Sequence, residues 1–294
     1  MTVPPSAETQ RGDCAAEQIM DLLKELQRTE LGMLKQLDQV CRTYNIPYFV
    51  IWGTALGTKR HQGFIPWDDD IDIGMLRSDY ERLKKVPADE WNGLTLIDAE
   101  SDCFFHEVTF PRLYKPGTIL DTEYWIKYYK NPNGVHKPIW LDIFLYDYVN
   151  SPKEAKKKAK KAHFLHIWHR RAKYRMNVVK SDPLKRRLIF LGRNFLHDIF
   201  VIPGSQRAIK CFYRMTRKDR GKYLISYDNG SHRVMMKSFL SADCIFPTVD
   251  LPFEDMLVKA PADIDAMLKR FYGDYMVLPP EEKRFAHLPH TVRL

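Results

Sequence analysis

The chain has 294 residues, 45% hydrophobic and 13% aromatic, which is ample for a packed core and excludes global disorder. Its five cysteines (Cys14, Cys41, Cys103, Cys211, Cys244) are scattered and form no C-x-x-C pair. That argues against a disulfide framework or a cysteine zinc site and fits a reducing compartment. The net charge of +9 is concentrated: Lys153 to Arg175 holds ten Lys or Arg against one acid, Glu154, so one segment carries the whole excess.

The N-terminal stretch MTVPPSAETQRGDCAAE has no apolar h-region, so no signal peptide is expected. No uninterrupted apolar run is long enough to span a bilayer. From Glu17 to Cys41, Ile19, Leu22, Leu23, Leu26, Met33, Leu34, Leu37 and Val40 recur at helical spacing, which predicts a long amphipathic helix packed on the core.

Tyr48 to Trp52 reads as an apolar strand that stops at Gly53-Thr54. Glycine allows close approach of backbone to a ligand, and a helix N-terminus offers free N–H groups to an anion, with Thr54 expected as its cap. Asp68 and Asp69 then introduce Asp70-Ile71-Asp72-Ile73. In a strand Asp70 and Asp72 share a face, with Cα atoms about 6.6 Å apart. Two such carboxylates repel unless a cation lies between them, and Mg²⁺ shared with substrate phosphate is the natural occupant. The other reading of this run is an acidic surface turn.

Ser78-Asp79-Tyr80-Glu81 predicts a capping box opening a short helix through Lys85, stopped by Pro87. Leu94 to Ile97 is an expected strand. Pro116 to Val135 reads as loop, with Tyr124, Trp125, Tyr128 and Tyr129 either bordering a quaternary-ammonium pocket or packed inside. Ile139 to Leu145 is almost wholly apolar, as a buried central strand should be, yet contains Asp142. A lone buried acid needs a partner or a metal, so Asp142 either completes a cation site, acts as general base, or bonds backbone at a strand edge.

The basic segment 153–175 has good helix formers and can lie on anionic lipid, hold a polyphosphate acceptor or RNA, or present a solvated face. His163, His166 and His169 within it read as part of the basic face. Leu184 to Arg217 reads as helices broken at Pro203-Gly204, and Asp263 to Tyr272 as an amphipathic helix ended by Gly273. P-loop, G-x-G-x-x-G, G-x-S-x-G and H-E-x-x-H patterns are all missing, which leaves metal-assisted phosphoryl chemistry.

The run GTALGTKRHQGFIPWDDDIDIGM closely resembles the signature of the LicD family, which includes the fukutin-like proteins. A looser match follows in LPFEDMLVKAPADIDAMLKRFYGDYMVLPPEEKR, so the resemblance covers roughly residues 30–290. It implies an α/β (α+β mixed-sheet) fold with a nucleotidyltransferase-like core, a helical insertion and C-terminal helices. The expected division is an N-terminal helix at 1–43, a catalytic core at 44–150, a basic helical insertion at 151–240, and the rest of the domain at 241–294.

The resemblance further implies transfer of a phospho-alcohol, phosphocholine first, from a CDP-activated donor to a hydroxyl of a surface glycan, lipid-linked glycan or teichoic acid precursor. Asp70 and Asp72 fall on the family's metal pair for Mg²⁺ or Mn²⁺, Gly53 and Thr54 on its nucleotide-phosphate turn, and Asp142 resembles its third acid. Arg112 resembles a family arginine, although the lysine usual before it is missing here. Arg60, whose neighbours match the signature, and Lys59 are further cationic clamps for phosphate, and Asp68 and Asp69 are auxiliary or outer ligands. Another CDP-alcohol donor (CDP-ribitol, CDP-glycerol) and a non-catalytic RNA- or membrane-binding role on the same fold stand as alternatives. Nucleic acid is disfavoured as a partner, and the expected location is the cytoplasm, peripheral on the inner membrane face.

Overall fold

The computed structural model describes residues 7–101, 103–130, 134–228, 230–281, 284 and 291–293. The looser C-terminal sequence match therefore lies partly outside the described residues.

The chain opens with helix α1 (Ala7–Thr43), whose Leu23, Leu26, Met33, Leu34, Leu37 and Val40 bury one stripe as their spacing demands. Strand β1 (Phe49–Val50) is shorter than the apolar run predicts, because Trp52 turns at φ 46° and starts helix α2 (Trp52–His61). Thr54 is therefore not the cap. Ile51 holds that place, and Thr54 lies inside the first turn.

Next come β2 (Asp72–Leu76), α3 (Arg77–Leu83), β3 (Thr95–Ile97), β4 (Arg112–Lys115), β5 (Ile119–Asp121), α4 (Glu123–Tyr128) and the long β6 (Ile139–Val149). The capping box does not form at Ser78: α3 begins two residues earlier, from Leu76, with no side-chain cap. The expected loop 116–135 contains β5 and α4, and Thr122 caps α4 by accepting from Trp125 N. Trp125, Tyr128 and Tyr129 are buried in a small aromatic core with Phe190, which leaves Tyr124 exposed.

The basic segment forms α5 (Pro152–Lys173), followed by α6 (Leu184–Phe200) and α7 (Ser205–Thr216). The chain then returns through β7 (Tyr223–Ser226), α8 (His232–Met235), β8 (Leu240–Ser241) and α9 (Ala242–Ile245). It finishes with the hairpin β9 (Val249–Phe253) and β10 (Met256–Ala260), α10 (Ile264–Tyr272) and β11 (Thr291–Arg293). Asp263 caps α10 and Gly273, at φ 73°, ends it, as the sequence predicts.

The main sheet is mixed, in the order β1-β2-β6-β4-β3, with β7 and β8 continuing along β6. β2 and β6 are parallel, whereas β4 and β7 run antiparallel to β6. Ile71, Ile73, Leu141, Ile143 and Leu145 are fully buried in its core beneath α1 and α10. The register places Asp72 opposite Asp142 on one side of β6, and Arg112 opposite Asp142 on the other. At the far end of the same two strands a buried Arg77–Asp147 pair, 2.7 Å apart, fixes the alignment.

Candidate active site

Asp70 ends the loop before β2, Asp72 begins β2, and Asp142 lies beside it on β6. Strand register brings together acids that are far apart in sequence, and carboxylate oxygens of all three lie within 4.8 Å of one another. Asp68, Asp69 and Asp70 form an overlapping group with the same spacing. Gln27 on α1 donates to the carbonyl of Asp68 at 2.9 Å and pins the acidic loop from above.

Thr54 sets where β2 begins. Its Oγ1 accepts from the backbone N–H of Asp72 at 2.8 Å, tying the first turn of α2 to the strand. Gly53 is required by space: a Cβ there would lie 2.5 Å from Asp68 Oδ2. The glycine-opened helix start and the acidic loop are therefore in contact.

Like charge and burial act together on these acids. Desolvation, then neighbouring carboxylates, drive Asp70 and Asp72 well above the usual carboxylate range. The same causes raise Asp68 to about 7. Burial raises Asp142 too, against the pull of Arg112, whose Nε donates to Asp142 Oδ1 at 2.6 Å. The Arg112 guanidinium lies 4.3 Å over Trp140, and its Nη1 is buried without a hydrogen-bond partner. Behind it, Lys137 holds Glu107 at 2.5 Å, and Lys137 and Arg112 keep Glu107 below its ordinary range despite burial.

Two residues of the site escape a motif reading. Glu30 on α1 is fully buried, and neither carboxylate oxygen has a hydrogen-bond partner. Burial raises its carboxyl strongly, followed by the charges of Asp70, Asp69, Asp68 and Asp142. It stands four residues from both Leu26 and Leu34, and an acid inside an apolar stripe is the signal that marks it. Tyr272, at the end of α10, is 44% exposed, yet its hydroxyl is raised by loss of solvent and then by the charges of Asp72, Asp68 and Asp70, which puts it at the border of the same cluster.

The α2 cations point elsewhere. Lys59 pairs with Asp265 at 2.8 Å, and Arg60 Nη1 donates to the Tyr275 carbonyl at 2.8 Å. Both sit in the last turn of α2, on contacts that tie down α10 and the chain after it.

On the Arg112 side, a groove of about 610 Å³ runs between the strand approach and α5, lined by Glu107, Phe110, Tyr124, His166, Arg170 and Arg193 among others. Phe110 is shared: it walls the groove and lies 5.6 Å beneath the Arg112 guanidinium. The histidines of α5 depart from the expected basic face. His169 is fully buried, and burial lowers it to about 4. His166 is lowered to about 3 by burial and then by His169 and His163, so both are neutral rather than cationic.

The start of α2 and an oxygen-rich cluster at the heads of β2 and β6 are thus brought into contact. The family model described as LicD/FKTN/FKRP, nucleotidyltransferase domain, matches residues 45–171. The chain is 29% identical over 271 residues to the lipopolysaccharide cholinephosphotransferase LicD of Haemophilus influenzae, across 90% of this chain and 95% of that protein. A shorter match, 40% identical over 65 residues, links it to an uncharacterised protein of Rickettsia prowazekii, covering 22% of this chain and 24% of that one. Residues 45–171 are thus similar to the LicD nucleotidyltransferase domain, and most of the chain aligns with a LicD relative.

Proposed function

We propose that this chain is a LicD-type, metal-dependent phosphotransferase that moves a phospho-alcohol group, phosphocholine from CDP-choline first, to a hydroxyl of a glycan acceptor. The observation that carries this reading is uncompensated charge. Three carboxylates converge within 4.8 Å, and Arg112 pairs with Asp142. The orphaned buried carboxylate of Glu30 beside them adds to the same deficit. A set of hard oxygens in this density suits Mg²⁺ or Mn²⁺ held by Asp70, Asp72 and Asp142. When bound, the ion supplies neutralisation of the donor diphosphate and of the leaving CMP.

The chain's own groups take the remaining roles. Gly53 keeps the start of α2 open to the donor phosphates, and Thr54 holds Asp72 in place through its backbone N–H. Arg112 offers its unpartnered Nη1 to a phosphate oxygen while its Nε orients Asp142. Asp142 either completes the cation site or accepts the proton of the acceptor hydroxyl. Asp68 and Asp69 lie on the outer side of the cluster as auxiliary acids. Arg60 and Lys59 serve the donor only if their present contacts open. The groove beside Arg112 is the place for the acceptor or the donor head group.

The Haemophilus relative's name supports a choline-phosphate donor and a lipopolysaccharide-type acceptor, and a teichoic acid precursor presents the same hydroxyl chemistry. The same site would serve CDP-ribitol or CDP-glycerol. A non-catalytic role fits less well, because a chain freed from catalysis has no reason to keep so many mutually repelling buried acids. A peripheral place at the inner membrane face is part of the proposal; among the described residues no helix is long and apolar enough to cross a membrane.

The test is CMP release from a panel of CDP-alcohols with Mg²⁺ or Mn²⁺, with and without glycan acceptor. Acceptor-dependent release from one donor, abolished by EDTA and restored by the metal, is expected. Full activity in chelator would overturn the metal reading.

A further inference from the structure

Helix α6 carries an apolar stripe that nothing covers. Leu184, Leu188, Leu191, Phe195 and Ile199 recur at steps of four, three, four and four, and Ile202 continues the line just past the helix end. All six are exposed, from 47% for Ile199 to 86% for Ile202. Nine of the eighteen exposed large hydrophobics among the described residues lie between Leu184 and Ile202. The helix faces the protein with its other side: Phe190 is buried, Asn194 bonds Met176, and His197 bonds the Arg171 carbonyl. Scattered surface leucines are ordinary, whereas a contiguous stripe of this length marks an interaction surface.

The charge around the stripe specifies the occupant. Lys185 and Arg187 flank it on opposite sides. Of the nearby acids, Asp198 is engaged by Arg175 at 3.1 Å, and Asp182 is buried and paired with Arg186 at 3.6 Å. The apolar surface continues onto α5, where exposed Phe164 meets Phe200 edge-on at 6.3 Å. On that face of α5, Lys153, Lys157, Lys160 and Lys161 precede Phe164 at helical spacing, all exposed. An apolar stripe flanked at its start by Lys185 and Arg187 and continued by the α5 lysines complements anionic headgroups above an acyl layer. A second copy of this chain would bring like charges against these rims. A single projecting helix also offers no groove for a peptide.

We infer that α6 lies in the plane of an anionic lipid surface, with its leucine–phenylalanine stripe inserted at the acyl boundary and the α5 lysines on the headgroups. At 17 residues the helix is about 25 Å long, suited to lying on a bilayer rather than crossing it. The inference is independent of the transfer chemistry, because none of these side chains belongs to the carboxylate site.

Flotation of the full chain with vesicles tests it, using phosphatidylcholine alone against equal parts phosphatidylcholine and phosphatidylglycerol. The wild type should float with the anionic vesicles. Leu188→Gln combined with Phe195→Gln should lower partitioning by about tenfold or more, the loss expected for two partly inserted apolar side chains. The thermal midpoint should not change, because both positions are exposed. Lys157→Gln with Lys160→Gln should weaken binding to anionic vesicles only, and less so at high salt. Failure of the wild type to float, or equal flotation of the Leu188/Phe195 variant, would overturn the inference. So would a dimer by light scattering that the variant dissolves while the wild type ignores vesicles, since a second copy would then cover the stripe. CMP release with water as acceptor would stay unchanged throughout, so failure here and failure of the phosphotransferase reading are separable.

Discussion

The carboxylate cluster and the α5–α6 surface are opposites. In the first, like charges are buried beside one another and held by strand register, a helix start and one arginine. In the second, charges of the other sign are spread over exposed faces, and apolar side chains that could have packed inside face outward. Electrostatic strain that the fold holds in place belongs to chemistry, because the backbone must enforce it. Exposed charge beside exposed apolar surface costs the fold little and is free to meet a partner. Mutations in the first region should therefore move stability and metal response together, and those in the second should leave both alone.

The largest effect is expected at Arg112. Arg112→Met leaves Asp142 buried without its cation, and urea unfolding should show a loss of about 3–5 kcal/mol. An unchanged midpoint would mean that Asp142 is already neutral in the native state and that the cluster carries less charge than its carboxylates imply.

Asp70→Asn or Asp72→Asn should cut turnover by at least about a hundredfold, as expected for a lost ligand of a charge-stabilising ion. The metal-free protein should be as stable as wild type or more so, since a repelling charge is gone. Normal turnover in either variant would remove that residue from the site.

The pH response sharpens the contrast further. Folding raises Glu30, Asp68, Asp70, Asp72 and Asp142, Asp68 to about 7. Their contribution is fully present below the unfolded carboxylate range near about 4 and is lost as pH rises through the raised values. His166 and His169, lowered to about 3 and about 4, act in the opposite sense: their contribution is present above about 6.5 and is lost as pH falls. Thermal midpoints of wild type minus Asp70→Asn, in EDTA, cancel the histidines. That difference should become more unfavourable to wild type from about pH 5 to about pH 8. Mg²⁺ or Mn²⁺ should restore wild type most at the alkaline end. A flat difference would show that the acids are not strained.

The smallest effect belongs to α5. Lys157→Gln with Lys160→Gln should keep stability within about 0.5 kcal/mol and leave the metal response unchanged, as expected for exposed positions. A larger loss in thermal unfolding would show that the basic helix is tied into the fold.

Much of the site is legible in the sequence because its chemistry is local there. The acidic run at Asp70 and Asp72 and the one acid in the apolar run at Asp142 stand out locally, although only Asp72 and Asp142 lie on strands and Asp70 is in the loop before β2. Thr54 lies against the acidic cluster, but in another role than helix capping. A positive φ at Trp52 starts the helix early and turns the hydroxyl onto the Asp72 N–H instead of its own helix. Glu30 shows itself only as a charge where the helical period demands a hydrophobe. On α5, the count of cations hides the Ala155, Ala159, Ala162 and Ala172 stripe on which His169 is buried. On α6 the period announces an apolar stripe but not what covers it, because a stripe turned outward has the same spacing as one turned inward.

The row Arg112–Asp142–Asp72 has a consequence for how this protein comes to be. Its middle and outer members meet only when β6 pairs on both sides in correct register. The Arg112–Asp142 contact closes 30 positions of chain, and the clamp between Arg77, at the start of α3, and Asp147 on β6 closes 70. Such non-local pairings are the slow events of folding, and a one-residue slip would turn an isoleucine into the row and an aspartate into the core. Site assembly and completion of the sheet are therefore one event. A newly made chain can acquire its chemistry only by finishing its topology.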